Sequence, residues 1–268
     1  MAADRSYVTL LLSLADGVAT VTLNRPEVHN AFNATLIAEL RDVFRALAAD
    51  ERARVVALTG AGVSFCAGAD LRWMQEAVTF TEEENRRDAF AITEMLEAIA
   101  RCPKPVVARV NGAALAGGTG LVAASDIAIA VETARFAFTE ARLGLVPATI
   151  SPYVVRRIGE SHARAFFLTA ERFEAPRALA IGLVHACVPE EELDAAVERT
   201  VRNLLHGGPV ALAEDKLLIE GIRDRRGEEL ARYTADTIAR LRVGPEGQEG
   251  LRSFLEKRSP NWTPEPRA

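Results

Sequence analysis

Residues 111–147 read NGAALAGGTGLVAASDIAIAVETARFAFTEARLGLVP, and this segment carries the strongest structural signals in the chain. Directly before it, the apolar run Val106–Val110 predicts a short buried strand, and Asn111-Gly112 predicts a turn. Ala116-Gly117-Gly118 then leads into a run of small residues that is compatible with a helix. The N-terminus of a helix leaves backbone N–H groups without intrahelical partners, so this turn suits an anion.

A dinucleotide-binding motif is one interpretation of the same segment. Residues 118–123 (GTGLVA) fit the pattern GxGxxG/A, and Glu140 follows twenty residues after Gly120. Six residues separate the strand end at Val110 from Gly117, however, whereas the first glycine of that motif belongs at the end of the strand. No predicted strand ends on Glu140 in the required role. We therefore disfavour a dinucleotide site.

A second turn of small residues precedes the first in the chain. Residues 64–74 (SFCAGADLRWM) follow the predicted strand Val55–Thr59 and pass through Ala67-Gly68-Ala69 into a predicted helix. Asp70 lies near the first turn of that helix, where a carboxylate complements the helix dipole. Two such turns could each offer one N–H to a single oxygen, which is how an oxyanion hole is built. Alternatively, the small residues only allow the two turns to pack closely.

Three motifs together resemble one family: NRPEVHNAF at residues 24–32, FCAGADL at 65–71 and NGAALAGG at 111–118. On these motifs the chain resembles the crotonase, or enoyl-CoA hydratase/isomerase, superfamily from about Val18 to its C-terminal helices. The resemblance implies an α/β fold, a spiral of strand–strand–helix repeats followed by a helical C-terminal trimerisation region, often in a dimer of trimers. It also implies that acyl-CoA thioesters bind, with the enolate stabilised by the N–H groups of Ala69 and Gly117.

The resemblance extends to one of two catalytic glutamates. Glu140 matches the second glutamate of the family's hydratases, whereas the position of the first is occupied by Gly120. Hydratases of the family use two carboxylates around one water, and some isomerases use one. Three functions remain open: a lyase that adds water to an enoyl-CoA, an isomerase that moves the double bond, and a non-catalytic acyl-CoA-binding protein.

The substrate-binding residues are implied by the same resemblance. The backbone around Glu27 and Val28 is expected to lie along the nucleotide end of coenzyme A, although Pro26 could also simply fix a strand-ending loop. Because coenzyme A is part of the substrate, no separate cofactor and no metal is expected. The full set of expected substrate-binding residues is Glu27, Val28, Ala67, Ala69, Asp70, Leu71, Gly117, Gly118 and Leu143.

The acyl group is indicated only by a finer resemblance. Where hydratases of the family commonly have a glycine-rich stretch, this chain has Ser151-Pro152-Tyr153. With GGTGLVAASDIAIA at residues 117–130, this looks most like the branch that hydrates methylglutaconyl-CoA or isohexenylglutaconyl-CoA. We expect such a branched or carboxylated acyl chain to fill the space beside Gly120.

Glu140 is expected to act as a general acid and base. Burial among Phe136, Phe138, Leu143 and Leu145 would raise its pKa and keep it protonated part of the time. The alternative interpretation is a surface acid that follows a strand. We also expect that Thr119 could hold a water near the missing first carboxylate.

Composition excludes several other classes of protein. The 268 residues carry a net charge of −5, which argues against a dedicated nucleic-acid binder. The three cysteines, Cys66, Cys102 and Cys187, are far apart and odd in number, so neither a disulfide framework nor a metal site is indicated. No apolar run approaches the ~20 residues of a membrane span. We therefore expect no membrane partner, a reducing compartment and a cytoplasmic location.

Glycines and capping residues indicate how the chain is divided. Asp16-Gly17 predicts a hairpin turn before the strand Val18–Leu23, and Asn33 predicts the cap of an amphipathic helix. Gly207-Gly208-Pro209 marks the clearest boundary. It separates an expected spiral core with the acyl-CoA site, residues 1–206, from an expected helical region, residues 207–268. The final residues, SPNWTPEPRA, are expected to be loose.

Overall fold

The computed structural model describes residues 6–263. Within this range the chain forms ten strands, and short runs of β-branched and small apolar residues supply most of them. Their bounds are β1 (Leu10–Ala15), β2 (Val18–Leu23), β3 (Val55–Gly60), β4 (Ser64–Cys66), β5 (Val106–Val110), β6 (Ala113–Leu115), β7 (Ile127–Val131), β8 (Arg135–Ala137), β9 (Arg172–Glu174) and β10 (Ala186–Val188).

Ten α-helices and three short 3-10 helices lie in the same range. The 3-10 helices span Pro26–Val28, Glu140–Leu143 and Glu190–Glu192. The α-helices are α1 (Ala34–Ala48), α2 (Leu71–Ala77), α3 (Glu82–Ala100), α4 (Gly117–Ala124), α5 (Ser151–Thr169), α6 (Ala175–Ala180), α7 (Leu193–His206), α8 (Pro209–Ile222), α9 (Gly227–Val243) and α10 (Pro245–Leu255).

Local signals near the N-terminus are confirmed. The side chain of Asn33 accepts a hydrogen bond from the Leu36 N–H and caps α1. Asp16 and Gly17 both have positive φ, 51° and 78°, which suits the two-residue turn between the antiparallel strands β1 and β2.

From β3 to β8, consecutive strands alternate between two mixed sheets. The larger sheet has the order β1-β2-β3-β5-β7-β10 and the smaller has the order β4-β6-β8-β9. In the larger sheet only the β1–β2 pair is antiparallel, and in the smaller sheet only β8–β9 is. Each turn of the spiral therefore places one strand in each sheet before its helix, as in β5–β6–α4. This is the crotonase-type α/β fold that the motifs imply.

The core lies between the two sheets and the helices that follow them. Every residue of β3 is buried, which is typical of parallel strands covered on both faces. The apolar face of α1, with Leu40 and Phe44 at its centre, is also fully buried. Within residues 6–263, no helix has both the length and the apolar composition needed to cross a membrane.

The C-terminal segment is more ordered than the sequence indicates. The indole N–H of Trp262 donates to the carbonyl of His206 over 3.1 Å. The guanidinium of Arg54 donates to the carbonyls of Leu205 (3.0 Å), Gly207 (2.7 Å) and Trp262. The expectation of a loose tail is therefore wrong for residues 259–263, because these bonds hold it against the core. Residues 264–268 lie outside the described residues.

Candidate active site

The turn after β4 and the turn after β6 pack directly against each other. The two strands are parallel neighbours, with Ser64 paired to Ala113, so their carboxyl ends meet at one edge of the small sheet. Gly68 has φ +91°, and a Cβ there would lie 2.9 Å from the Leu115 carbonyl oxygen. Glycine is required at this position both by the backbone conformation and by the close approach.

Phe32 connects the two turns. A Cβ on Gly117 would lie 2.5 Å from Cε2 of the Phe32 ring, so α4 begins in contact with that ring. Phe32 also forms a parallel bridge with Ala69. Its N–H donates to the Gly68 carbonyl (2.6 Å), and its carbonyl accepts from the Asp70 N–H (2.8 Å). Ala69 therefore pairs with the backbone of Phe32, and Gly117 contacts its ring.

The N–H groups of Ala69 and Gly117 remain free to donate. Within residues 6–263, neither N–H has a protein acceptor, although the N–H groups of Asp70 and Ala116 both do. Ala69 is exposed and Gly117 is half-buried. Two free donors on adjacent turns form the pattern that an oxyanion needs. Their assignment as oxyanion donors stays a prediction.

Ala116 holds the start of α4 in a strained backbone conformation. Its φ and ψ are 48° and −115°, and its N–H donates to the Ala137 carbonyl over 2.8 Å. A non-glycine residue in such a conformation costs about 1–3 kcal/mol and persists only where its surroundings impose it. Strain of this kind clusters at functional sites, and here it fixes the peptide that carries the Gly117 N–H.

Glu140 is the predicted acid of the site. It begins the 3-10 helix that follows β8, three residues beyond the Ala137 carbonyl to which the Ala116 N–H donates. Its Oε2 atom is buried and has no hydrogen-bond partner among the described residues. Burial raises the pKa of Glu140, and a hydrogen bond from its own backbone N–H opposes that rise in part. The residue as a whole is half-buried, but a buried carboxyl oxygen without a hydrogen-bond partner is destabilising, which makes Glu140 a candidate for chemistry.

The expected surroundings of Glu140 are only half correct. Phe136 and Phe138 are fully buried, but Leu143 and Leu145 are 56% and 59% exposed. Leu143 lies in a short 3-10 helix at the surface and Leu145 follows it, so in the monomer these two leucines do not bury Glu140. The expectation was wrong for these two residues.

Gly120 packs directly against the side chain of Ile150. A Cβ at Gly120 would lie 2.9 Å from Cβ of Ile150 and closer still to its Cγ2. Ile150 directly precedes α5 and is 2% exposed. The space beside Gly120 is therefore filled by Ile150, and the expectation that an acyl chain fills it is wrong.

Thr119 is not available to hold a water. Its residue is fully buried, and its hydroxyl lies 2.7 Å from the Ala114 carbonyl and 3.2 Å from the Ala137 carbonyl. The single hydroxyl proton is shared between these two acceptors, which ties α4 to the ends of β6 and β8. The expected role of Thr119 is wrong, because the hydroxyl belongs to the scaffold.

The side chain of Asp70 is also engaged within the protein. One carboxylate oxygen accepts from the Arg72 N–H (2.8 Å) and caps α2, as the sequence predicts. The other accepts from Arg25 (2.7 Å). Burial alone would raise the pKa of Asp70, but these hydrogen bonds and the charge of Arg25 lower it overall. Both carboxylate oxygens are therefore already engaged within the protein, and a contact of Asp70 with the substrate stays a prediction.

The remaining expected substrate-binding residues surround the two turns. Ala67 donates its N–H to the His29 carbonyl (3.0 Å), which brings the segment with Glu27 and Val28 alongside. Gly118 is buried against β4, where a Cβ would lie 2.9 Å from the Cys66 carbonyl carbon. Exposed members of the set are Glu27, Ala69, Leu71 and Leu143.

Sequence reasoning missed three residues at this site: Arg25, Phe32 and Ile150. Arg25 and Phe32 lie inside the NRPEVHNAF motif, so the motif was a signal for both. Ile150 carries no signal of its own, because its importance depends on its packing against Gly120.

Comparisons with known proteins agree with this geometry. The sequence profile of the enoyl-CoA hydratase/isomerase family matches residues 13–265. An enoyl-CoA hydratase structure from Shewanella pealeana is 40% identical, covers 97% of each chain and superposes with a TM-score of 0.94. Pseudomonas aeruginosa AtuE is 40% identical over 96% of this chain and 100% of its own, with a TM-score of 0.92. The enoyl-CoA hydratase ACTT6 of Alternaria alternata is 35% identical over 89% of this chain and 78% of its own.

The profile covers most of the chain, and the relatives share both its length and its fold. On these grounds the chain belongs to the enoyl-CoA hydratase/isomerase family.

Proposed function

We propose that the protein is an enoyl-CoA hydratase, a hydro-lyase that adds water across the 2,3 double bond of an enoyl thioester. The observation that carries the proposal is the unpartnered, buried Oε2 of Glu140. It lies beyond the end of β8, and β8 is hydrogen-bonded to the turn that presents the free Gly117 N–H. A binding protein without chemistry has no use for such a costly group.

The mechanism needs one acid, one water and two donors. The thioester carbonyl oxygen accepts hydrogen bonds from the N–H groups of Ala69 and Gly117. Ionised Glu140 takes a proton from water as the hydroxide oxygen bonds to C3, and the double-bond electrons move onto the carbonyl oxygen as an enolate. Glu140 then returns that proton to C2 as the enolate collapses. The raised pKa of Glu140 suits both steps, because efficient general acid–base groups titrate near the working pH.

An isomerase is the second candidate, and Gly120 is the observation that favours it. With Ile150 against Gly120, position 120 provides no second carboxylate. A single acid can move a proton between C2 and C4 of the same enolate and thereby shift the double bond without adding water. Hydration and isomerisation share every group named above, so they differ only in whether water reaches C3.

The substrate proposal rests on the finer resemblance. Ser151-Pro152 open α5 and Tyr153 is half-buried within it; by the resemblance, hydratases of the family commonly have a glycine-rich stretch at this place. We propose a 3-methyl-branched, carboxylated enoyl thioester such as methylglutaconyl-CoA or isohexenylglutaconyl-CoA. Glu27 and Val28 are proposed to line coenzyme A, and the exposed side chains of Leu71 and Leu143 to meet the acyl or pantetheine portion.

The C-terminal region, residues 207–268, is proposed to form a trimer interface, alone or in a dimer of trimers. Helices α8–α10 carry exposed apolar side chains that a monomer would leave in water. They include Val210, Leu217, Ile219, Ile222, Ile238, Val243, Leu251, Phe254 and Leu255.

Turnover of a panel of enoyl-CoA thioesters in heavy-oxygen water tests the reaction. The panel contains straight-chain, 3-methyl-branched and carboxylated 3-methyl-branched members. Hydration predicts heavy oxygen at C3 of the product, fastest with the carboxylated branched thioester. A moved double bond without label would establish the isomerase, and no turnover of any member would contradict both.

A further inference from the structure

Arg25 lies two residues beyond the end of β2, and its guanidinium is directed toward the edge where the two turns meet. Its Nη1 donates to the Ala31 carbonyl over 2.6 Å, and its Nη2 donates to Asp70 Oδ2 over 2.7 Å. The side chains of Arg25 and Asp70 are 16% and 6% exposed. Water screens such a pair far less than it screens an ion pair at the surface. The pair is therefore a built part of the site.

The two groups that accept hydrogen bonds from Arg25 are neighbours in sequence of Phe32 and Ala69, which form a β-bridge. Ala31 precedes Phe32, and Asp70 follows Ala69, so the guanidinium spans the Phe32–Ala69 bridge from outside. The bridge itself consists of the Phe32 N–H bond to Gly68 and the Asp70 N–H bond to Phe32. The Gly68 carbonyl and the Asp70 N–H are thus both engaged with Phe32, whereas the N–H of the exposed Ala69 between them has no acceptor among the described residues.

Asp70 transmits this restraint along the chain. Its other oxygen accepts from the Arg72 N–H and caps α2, while its own backbone N–H donates to the Phe32 carbonyl, so Asp70 is held by both its side chain and its backbone. A carboxylate that lost Arg25 would be buried with an unpaired charge, which it could relieve by rotating toward water. Such a rotation would tilt the peptide between Gly68 and Ala69 and change the direction of the Ala69 N–H.

We propose that Arg25, through Ala31 and Asp70, is a positioning residue that aims the Ala69 N–H at the thioester carbonyl oxygen. The inference rests on the proposed function, because it takes Ala69 to be an oxyanion donor. Arg25 itself touches no reacting atom. An oxyanion donor acts only over a narrow range of distances, and removal of one lowers kcat by about 10²–10³-fold. A misaimed donor should lower it by about 10- to 100-fold.

The direct test is the carbonyl stretching frequency of a bound, unreactive acyl-CoA that carries an isotope-labelled thioester carbonyl. Hydrogen bonds from two N–H groups polarise the carbonyl and lower this frequency. Arg25→Gln should return the band part of the way toward its position in free ligand. It should also lower kcat about 10- to 100-fold while KM changes less than about threefold. Arg25→Lys should be intermediate, since one ammonium cannot span both acceptors as the planar guanidinium does.

Two further variants separate positioning from stability. Asp70→Asn keeps the shape of the side chain and the α2 cap but removes the charge. It should shift the carbonyl band in the same direction as Arg25→Gln, and it replaces that variant as the test if Arg25→Gln does not fold. Arg41→Gln removes an ion pair to Glu94 elsewhere in the fold and should leave the band unchanged. If the carbonyl frequency is lowered in the unmodified protein and stays equally low in Arg25→Gln and Asp70→Asn, the role of Arg25 is overturned but the oxyanion hole is not. A band in the unmodified protein at the free-ligand position would overturn the proposed oxyanion hole itself.

Discussion

Gly120 and Ile150 should behave as a coupled pair in unfolding experiments. Within a helix, Gly→Ala normally stabilises by about 1 kcal/mol through backbone entropy. Here the new Cβ would lie 2.9 Å from Ile150 Cβ and closer to Cγ2, in a side chain that is 2% exposed. Overpacking of that kind destabilises by about 1–3 kcal/mol. We therefore expect Gly120→Ala to lower the free energy of unfolding by up to about 2 kcal/mol.

The effect of Gly120→Ala on the free energy of unfolding should reverse when the Ile150 side chain is removed. Ile150→Ala alone should cost about 2–5 kcal/mol, as for other buried isoleucines. Adding Gly120→Ala to that variant fills part of the cavity and gains helix propensity, so it should be neutral or stabilising. The coupling free energy is then about 1–3 kcal/mol, within the range for residues in contact.

Urea unfolding at fixed protein concentration measures all four proteins of this cycle. Ile158→Ala is the matched control, because Ile158 is a second buried isoleucine, within α5, and it does not approach Gly120. Gly120→Ala should cost the same in that background as in the unmodified protein. Stabilisation by Gly120→Ala in the unmodified protein, or an equal effect with and without Ile150, would refute the packing argument.

Three other predictions concern ligand, pH and assembly. Coenzyme A or an acyl-CoA should protect the protein against thermal unfolding by about 2.7 kcal/mol at a hundredfold excess over Kd, while NAD should not; the reverse would restore a dinucleotide site. Glu140→Gln should raise Tm more at pH 8 than at pH 4. Because folding raises the pKa of the Glu140 carboxyl, the folded protein is destabilised as the pH rises above 4.5, the ordinary pKa of a glutamate, and the glutamine variant lacks this loss. A difference in Tm that does not vary with pH would contradict the burial of that group. Light scattering at micromolar concentration should give a trimer or hexamer, and a monomer would remove the proposed role of α8–α10.

Local signals proved sufficient where one residue type dictates one conformation. Asn33 and Asp70 cap the helices that the sequence assigns to them, and the Asp16-Gly17 turn joins two antiparallel strands. The small residues around Gly68 and Gly117 also indicated that two turns approach closely, and the structure brings them within contact. These features depend on backbone sterics and short-range hydrogen bonds, which a sequence displays directly.

Features that depend on distant contacts were not readable in the same way. Asp70 is an attractive ligand residue by type, but only the fold reveals that Arg25, 45 residues earlier, occupies its second oxygen. Ile150 blocks Gly120 across a helix pair, and no periodicity encodes such a contact. Trp262 docks on the core through the carbonyl of His206, so a polar, proline-containing tail was mistaken for a free one.

For Glu140, one sequence-based expectation is confirmed and another is wrong. An acidic residue in an apolar segment indicated partial burial correctly, since Glu140 is half-buried and its Oε2 atom is buried without a hydrogen-bond partner among the described residues. The residues expected to bury it were half wrong, because Leu143 lies in a short surface helix whose exposed side the sequence pattern does not specify.

The turnover of Glu140→Gln tests the central claim most directly. The variant keeps the size of the side chain but removes its titration, and it should be assayed on the thioester that the unmodified protein hydrates fastest. We predict a kcat lower by about 10²–10⁴-fold, with Kd for a saturated acyl-CoA changed less than about threefold. Glu174→Gln, an exposed substitution on β9, should match the unmodified protein in both measurements. Full turnover by Glu140→Gln, with heavy oxygen still incorporated at C3, would contradict the account.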